Sequence, residues 1–242
     1  MPNDIYAHRG WSAEAPENTM AAFRKALDAP YVAGLELDVQ LSKDGVPVVI
    51  HDFALDRTTN GTGLVKEHTL EELRRLDAGS WFGPAFAGER IPTLAEALAL
   101  AKGRGKVNIE LKTAGRLYPG LAEAAVKVVR EAGMERDVYF TSFDHLVMLE
   151  TKSIAPDIRT GLLIAGRPIA LKVQFELTGA DVLSIAHAYL TPDLVREAKE
   201  LGLEILAWTI DDVERIRAVA ALDADIAICT NAPDRAREAL GA

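Results

Sequence analysis

The chain has 242 residues, 49% of them hydrophobic and 26% charged, and its 27 Lys and Arg against 36 Asp and Glu leave a net charge of −9. A globular chain of this size buries ~70–75% of its unfolded surface, and the composition excludes a disordered, collagenous or coiled-coil protein. The acidic balance argues against nucleic acid or an anionic membrane surface as partner, but it admits an anionic small molecule wherever local positive charge is supplied.

In chain order, apolar runs fall at residues 5–8, 35–41, 46–51, 107–111, 138–143, 160–164, 182–186, 204–209 and 225–230. Between most of them lie segments with helical i, i+3, i+4 apolar spacing, among them 18–27, 93–101, 121–132, 192–201, 211–221 and 233–240. Asn18 and Thr93 read as N-caps, and Thr191 precedes an early Pro192. Such alternation predicts βα units and a parallel sheet.

Nine strands exceed an eight-stranded barrel by one. Only Ser42-Lys43-Asp44-Gly45 separates the second run from the third. A parallel crossover needs a dozen or more residues, and Asp-Gly is a hairpin signal, so these two runs should pair antiparallel. The remaining eight predict a (β/α)8 TIM barrel, one domain over residues 1–242. Residues 53–90, rich in glycine and carrying one short helical piece opened by Thr69, fit that plan least and read as an insertion after the second barrel strand. Its Leu64, Val65, Trp81, Phe82 and Phe86 read as a small core of its own, with an apolar entrance for a lipid as the alternative.

Cys229 is the lone cysteine, in an apolar run, so a packing role is expected and no internal disulfide is available. The first ten residues have no basic or apolar signal region, and no apolar run approaches the ~18–20 residues of a membrane span. The expectation is a cytoplasmic protein without integral membrane association. Oligomeric state is left open.

A barrel places its site at the carboxyl ends of the strands. Strand side chains alternate faces, so Glu36 and Asp38 share one face and Glu110 and Lys112 share one on the next barrel strand, while Leu35, Leu37, Val39, Ile109 and Leu111 face the helices. Three carboxylates converging in a barrel mouth repel one another, and a hard divalent cation such as Mg²⁺ or Ca²⁺ resolves that repulsion. Pairing with Lys112 is the competing explanation. A hairpin loop of two or four residues would set His51 against Asp38 or Glu36, where it suits acid or base work. His8 reaches the same rim, and Arg9 beside it is a fork for phosphate or carboxylate. Strand geometry points Arg9 and His8 to opposite faces unless the chain turns before Gly10. Glu17 and Asn18 are compatible with a plain helix start. Phe143 and Trp208 end two strands and could line a pocket, while His68, His145 and His187 are weaker candidates.

The order and spacing of Ala7-His8-Arg9-Gly10, Pro16-Glu17-Asn18-Thr19, Glu36-Leu37-Asp38-Val39-Gln40, His51-Asp52, the Leu-Asp-Arg-Thr-Thr-Asn-Gly-Thr-Gly stretch from Leu55, and Ile109-Glu110-Leu111-Lys112 resemble the glycerophosphodiester phosphodiesterases over nearly the whole chain. The resemblance implies a TIM barrel with a small insertion after the His-Asp segment. It implies metal-dependent hydrolysis of a glycerophosphodiester, a small-molecule substrate, to sn-glycerol 3-phosphate and an alcohol. On that footing His8 and His51 form the catalytic acid/base pair, and Glu36, Asp38 and Glu110 hold one divalent cation. Arg9 and Lys112 contact the phosphate, with Phe143 and Trp208 near the substrate. Thr230-Asn231 departs from the Thr-Asp found in many relatives. Three other readings remain: action on lysophospholipids, a metal-assisted proton-abstracting enzyme, and a non-catalytic metal- or phosphate-binding barrel.

Overall fold

The computed structural model describes residues 3–241. Eight strands close into a parallel ring: β1 (Ile5–His8), β2 (Val32–Leu41), β4 (Lys106–Leu111), β5 (Val138–Ser142), β6 (Arg159–Ile164), β7 (Val182–Ala186), β8 (Glu204–Trp208) and β9 (Ala227–Thr230). The ring is sealed where β1 pairs with β9 on one side and β2 on the other. The remaining strand, β3 (Pro47–Val49), pairs antiparallel with the end of β2, as the short loop before it requires. Helices α1 (Met20–Leu27), α3 (Leu94–Ala101), α4 (Leu121–Ala132), α5 (His145–Ile154), α6 (Leu171–Thr178), α7 (Pro192–Glu200), α8 (Val213–Ala220) and α9 (Pro233–Leu240) cover the ring, and α2 (Leu70–Leu73) lies in the segment after β3. Among the described residues no helix is long and apolar enough to cross a membrane.

Alternation along the strands builds two cores. Outward residues such as Leu35, Leu37, Val39, Ile109, Leu111, Phe140 and Leu183 pack on the helices in one large cluster. Inward residues Tyr6, Tyr139, Val182, Leu206 and Cys229 fill the barrel interior. Cys229 is fully enclosed there, and burial pushes its thiol well above the ordinary range, which makes it a packing residue.

Three local expectations are corrected. The hairpin loop is neither two nor four residues. Ser42 N–H donates to the Val46 carbonyl at 3.0 Å, and Gly45 sits in the left-handed region at φ +78°, closing a three-residue loop. Val39 therefore faces Val49. Continued in that register, His51 would share the outward face of Val49. Instead the strand stops, and the buried Gln40 amide nitrogen takes the carbonyls of Ile50, His51 and Asp52 at 2.9, 3.0 and 2.8 Å. That turn brings His51 back to the barrel mouth. Second, Thr19 rather than Asn18 caps α1, its hydroxyl accepting from Ala22 N–H. Third, the segment after β3 packs around Val48, Ile50, Leu55, Val65, Leu73, Ala78 and Ile91. Of the five residues expected in that core, only Val65 joins it. Trp81, Phe82 and Phe86 stack on one another edge to face, and Leu64 and Trp81 are exposed.

Replacing Gln40 by Leu keeps the volume and strands three carbonyls. We expect a loss of ~1–3 kcal/mol, read from the urea midpoint, because buried acceptors then go unpaired. An unchanged midpoint would show that the turn holds without the amide.

Candidate active site

The site lies at the carboxyl ends of the strands, in a cavity of about 200 Å³ lined by His8, Arg9, Glu36, His51, Asn108, Glu110, Lys112, Thr141, Phe143, Leu163, Ser184, Leu206, Trp208, Thr209 and Cys229. Register puts its acids together. Glu36 is opposite Asn108 and Asp38 opposite Glu110 across the β2–β4 pair, so all three carboxylates project inward at neighbouring levels. Each offers an oxygen within 4.8 Å of the others. Glu36, Asp38 and Glu110 are only 4%, 1% and 9% exposed.

Two basic groups offset this charge. Lys112 Nζ is 2.9 Å from Glu110 Oε1 and 3.7 Å from Asp38 Oδ1. Arg9 Nε is 3.3 Å from Asp38 Oδ2, and its backbone N–H donates to Glu36 Oε2 at 3.0 Å. Arg9 reaches inward because the chain turns at it. Arg9 has φ +58° and Gly10 φ +78°, and a Cβ on Gly10 would stand 2.7 Å from the Ala22 carbonyl carbon. His8 and Arg9, on opposite faces in an ideal strand, thus both line the cavity.

The compensation is unequal. Burial, then the charges of Asp38 and Glu110, push the Glu36 carboxyl far above its usual range. Burial and Asp38 push Glu110 up to about 7, with Lys112 pulling the other way. Burial would raise Asp38 as well, but Arg9 and Lys112 beside it hold it below its usual range. Asp38 Oδ1 is nonetheless buried with no hydrogen-bond partner. An all-oxygen donor set with one such oxygen unpaired fits a hard divalent cation better than it fits ion pairing alone.

The two histidines are held by unlike partners. His8 Nδ1 lies 2.7 Å from Asn231 Oδ1. The amide of Asn231 is oriented by Asp211, which accepts from Nδ2 at 2.7 Å, so His8 Nδ1 is the donor. This leaves Nε2, 3.9 Å from Glu36 Oε2, on the cavity side. Burial and the Arg9 charge push the His8 ring down to about 4. His51 Nδ1 is 2.6 Å from Asp52 Oδ1. The two- and four-residue loops would set His51 against Asp38 or Glu36, yet its bonded carboxylate is the adjacent Asp52. Burial lowers His51 too, against the pull of Asp38.

Several working contacts fall outside the candidate set drawn from sequence. Asn18 is no cap: with φ +56°, it donates from Nδ2 to Asp38 Oδ2 at 2.8 Å. Glu17 accepts from Arg9 Nη1 at 2.8 Å. Both sit in the Pro16-Glu17-Asn18-Thr19 stretch, which was the available signal. Asn231 was visible only as a departure from the family pattern. Phe143 and Trp208 meet edge to face at 5.6 Å, with Lys112 Nζ 5.9 Å from the Phe143 ring centre. His187 is outside the lining, and His145 turns Nε2 to the Leu163 carbonyl at 3.0 Å.

The glycerophosphoryl diester phosphodiesterase family matches residues 8–235 of this chain. A glycerophosphodiester phosphodiesterase of Caldanaerobacter subterraneus is 44% identical over 223 residues, covering 89% of this chain and 90% of its own. One from Bacillus altitudinis is 36% identical over 237 residues, covering 96% of each. Among solved structures, an Oleispira antarctica phosphodiesterase in complex with the product sn-glycerol 3-phosphate superposes with a TM-score of 0.92 at 33% identity, covering 99% of this chain and 97% of that one. A glycerophosphodiester phosphodiesterase of Agrobacterium tumefaciens gives 0.84 at 35% identity, covering 98% and 99%. A closed eight-stranded barrel, a buried acidic trio at its mouth and this match over most of the length agree: the chain belongs to the glycerophosphoryl diester phosphodiesterase family and is an enzyme of that class.

Proposed function

We propose that this chain hydrolyses glycerophosphodiesters to sn-glycerol 3-phosphate and an alcohol, with His8 and His51 as the acid/base pair and Glu36, Asp38 and Glu110 holding one divalent cation, Mg²⁺ or Ca²⁺. The observation that carries the reading is the meeting of two imidazoles, two cationic side chains and the carboxylates of Glu36 and Glu110 in one cavity, with buried Asp38 within reach of both acids. The product bound to the Oleispira antarctica relative supports the substrate class.

A divalent cation among the three carboxylates supplies Lewis-acid charge at the phosphoryl group. Arg9 and Lys112 bind the non-bridging phosphoryl oxygens and are fixed beforehand by Glu17, Asp38 and Glu110, so little reorganisation accompanies charge development. Both rings donate from Nδ1, so the proton moves at Nε2 of each. Asp52 is charged and stabilises a protonated His51, whereas the Asn231 amide gives His8 no such charge. The two rings therefore differ in proton affinity, and between them one accepts from the nucleophile while the other donates to the leaving alcohol. Phe143, at the outer edge and 47% exposed, packs with Trp208 beside the alcohol moiety.

His8→Ala and His51→Ala should each lower kcat on glycerophosphocholine by ~10²–10⁴ while the protein stays folded. Near-wild-type turnover in either variant would remove that histidine from the mechanism.

The cation has a thermal signature with a definite sign. In metal-free protein Glu36 and Glu110 keep their protons to higher pH than in the unfolded chain, so the native state binds more protons and loses stability as pH rises from about 4.5 to about 7. A cation requires the deprotonated carboxylates. A fixed Mg²⁺ concentration, ~100 times its Kd at pH 8, should raise Tm by ~5–10 °C near pH 8 and by much less near pH 5, where protonated carboxylates weaken binding. Equal shifts at both would contradict this assignment of ligands.

A further inference from the structure

Arg57 does not line the cavity, yet it touches the two carboxylates that hold His51 and Arg9. Its Nε lies 2.6 Å from Asp52 Oδ2 and its Nη2 2.9 Å from Asp52 Oδ1. Its Nη1 and Nη2 each reach a Glu17 oxygen at 2.8 Å. One planar guanidinium thus grips both carboxylates in two-pronged fashion, a geometry that an ammonium cannot copy. Beyond Asp52 the contacts continue to His51 Nδ1 at 2.6 Å, and beyond Glu17 to Arg9 Nη1 at 2.8 Å. Arg9 in turn meets Asp38.

The arrangement is more than a surface tie. Arg57 Nη2 bonds one oxygen of each acid, so removing the guanidinium leaves two like charges facing each other with no cation between them. Each would keep a single side-chain partner, His51 or Arg9, and would be free to pull it out of place. The Arg57 side chain is 44% exposed, and exposed ion pairs add little to fold stability. Its loss should therefore register at the site and not in the fold.

We propose that Arg57 is a positioning residue for hydrolysis: supplied by the segment after β3, it sets the His51 ring through Asp52 and the Arg9 fork through Glu17. The proposal rests on the roles given above to His51 and Arg9. It assigns work to the one charged residue of the Leu55–Gly63 stretch that bonds toward the site.

The test compares wild type with Arg57→Ala, Arg57→Lys, Asp52→Asn and the Arg57→Ala/Asp52→Asn double variant. Kinetics on glycerophosphocholine, thermal midpoint and the imidazole nitrogen NMR spectrum are read for each. Arg57→Ala should lower kcat by ~10–100-fold, the usual loss when a partner that orients a reacting group is removed, with little change in thermal midpoint. Arg57→Lys should fall between, and added guanidinium ion should restore part of the Arg57→Ala loss. In the Asp52→Asn background the kcat effect of removing Arg57 should shrink, because both substitutions act on His51 through one path, while a rise in KM through Glu17 persists. The His51 spectrum should show Nδ1 protonated in wild type and a shift toward the Nε2-protonated form in Arg57→Ala. That spectrum needs no turnover, so it tests the clamp even if wild type fails to hydrolyse the substrate, a result that would fall on the functional reading alone. Kinetic constants within about twofold of wild type would overturn the proposal, as would an activity loss that only follows a fallen thermal midpoint with the His51 spectrum unchanged. Should Arg57→Ala not fold, Arg57→Lys decides: wild-type kinetics and spectrum there overturn it.

Discussion

Three carboxylates buried side by side at the barrel mouth are the constraint around which this protein is arranged. Glu36, Asp38 and Glu110 cannot all stay ionised in such a place without compensation, since each adds to the cost of charging the others. The chain supplies two cations, Arg9 and Lys112, against three acids; both flank Asp38, and Lys112 also bonds Glu110. Glu36 and Glu110 remain poorly compensated, and Asp38 keeps a buried oxygen unpaired. A site left this way is compatible with an added positive charge, and on the proposed reading a cation, an arginine and a lysine together would let a protein of net charge −9 hold a phosphodiester.

The barrel makes the arrangement possible by separating packing from chemistry. Every second residue from Leu35 to Leu41 in β2 and from Val107 to Leu111 in β4 faces the helices and sits in the large apolar core, so these strands are anchored from outside. Their inward residues can then be selected for charge. Holding the histidines takes more than strand geometry. His8 ends β1 and borrows Asn231 from just past β9, possible because β1 and β9 are neighbours at the closure of the ring. His51 stands beyond a three-residue strand, and the Gln40 amide bends its backbone back to the rim. The segment between β3 and α3 then contributes Asp52 and Arg57, so a region that looks peripheral to the barrel orients the ring.

What could be read in the sequence was what depends on period. The two-residue repeat at Glu36 and Asp38, and again at Glu110 and Lys112, placed these groups on the inner face without reference to any partner. The loop before β3 was too short for a crossover and so identified the antiparallel strand. What could not be read depends on a single backbone angle or on a distant contact. Gly45 in the left-handed region makes a three-residue loop where the sequence admits two or four, and one residue of register reverses the face of everything after it. Asn18 resembled a helix cap because asparagine favours caps, yet Thr19 took that place and freed Asn18 for Asp38. The His8–Asn231 bond spans 223 positions, and no local pattern announces it.

The most direct test of this account follows release of sn-glycerol 3-phosphate from a glycerophosphodiester by chelator-stripped protein, before and after Mg²⁺ or Ca²⁺ is returned. The account requires negligible release without the cation and full turnover once it is restored. The same rate in the presence of chelator would mean that the three buried carboxylates serve some purpose other than holding a cation for catalysis.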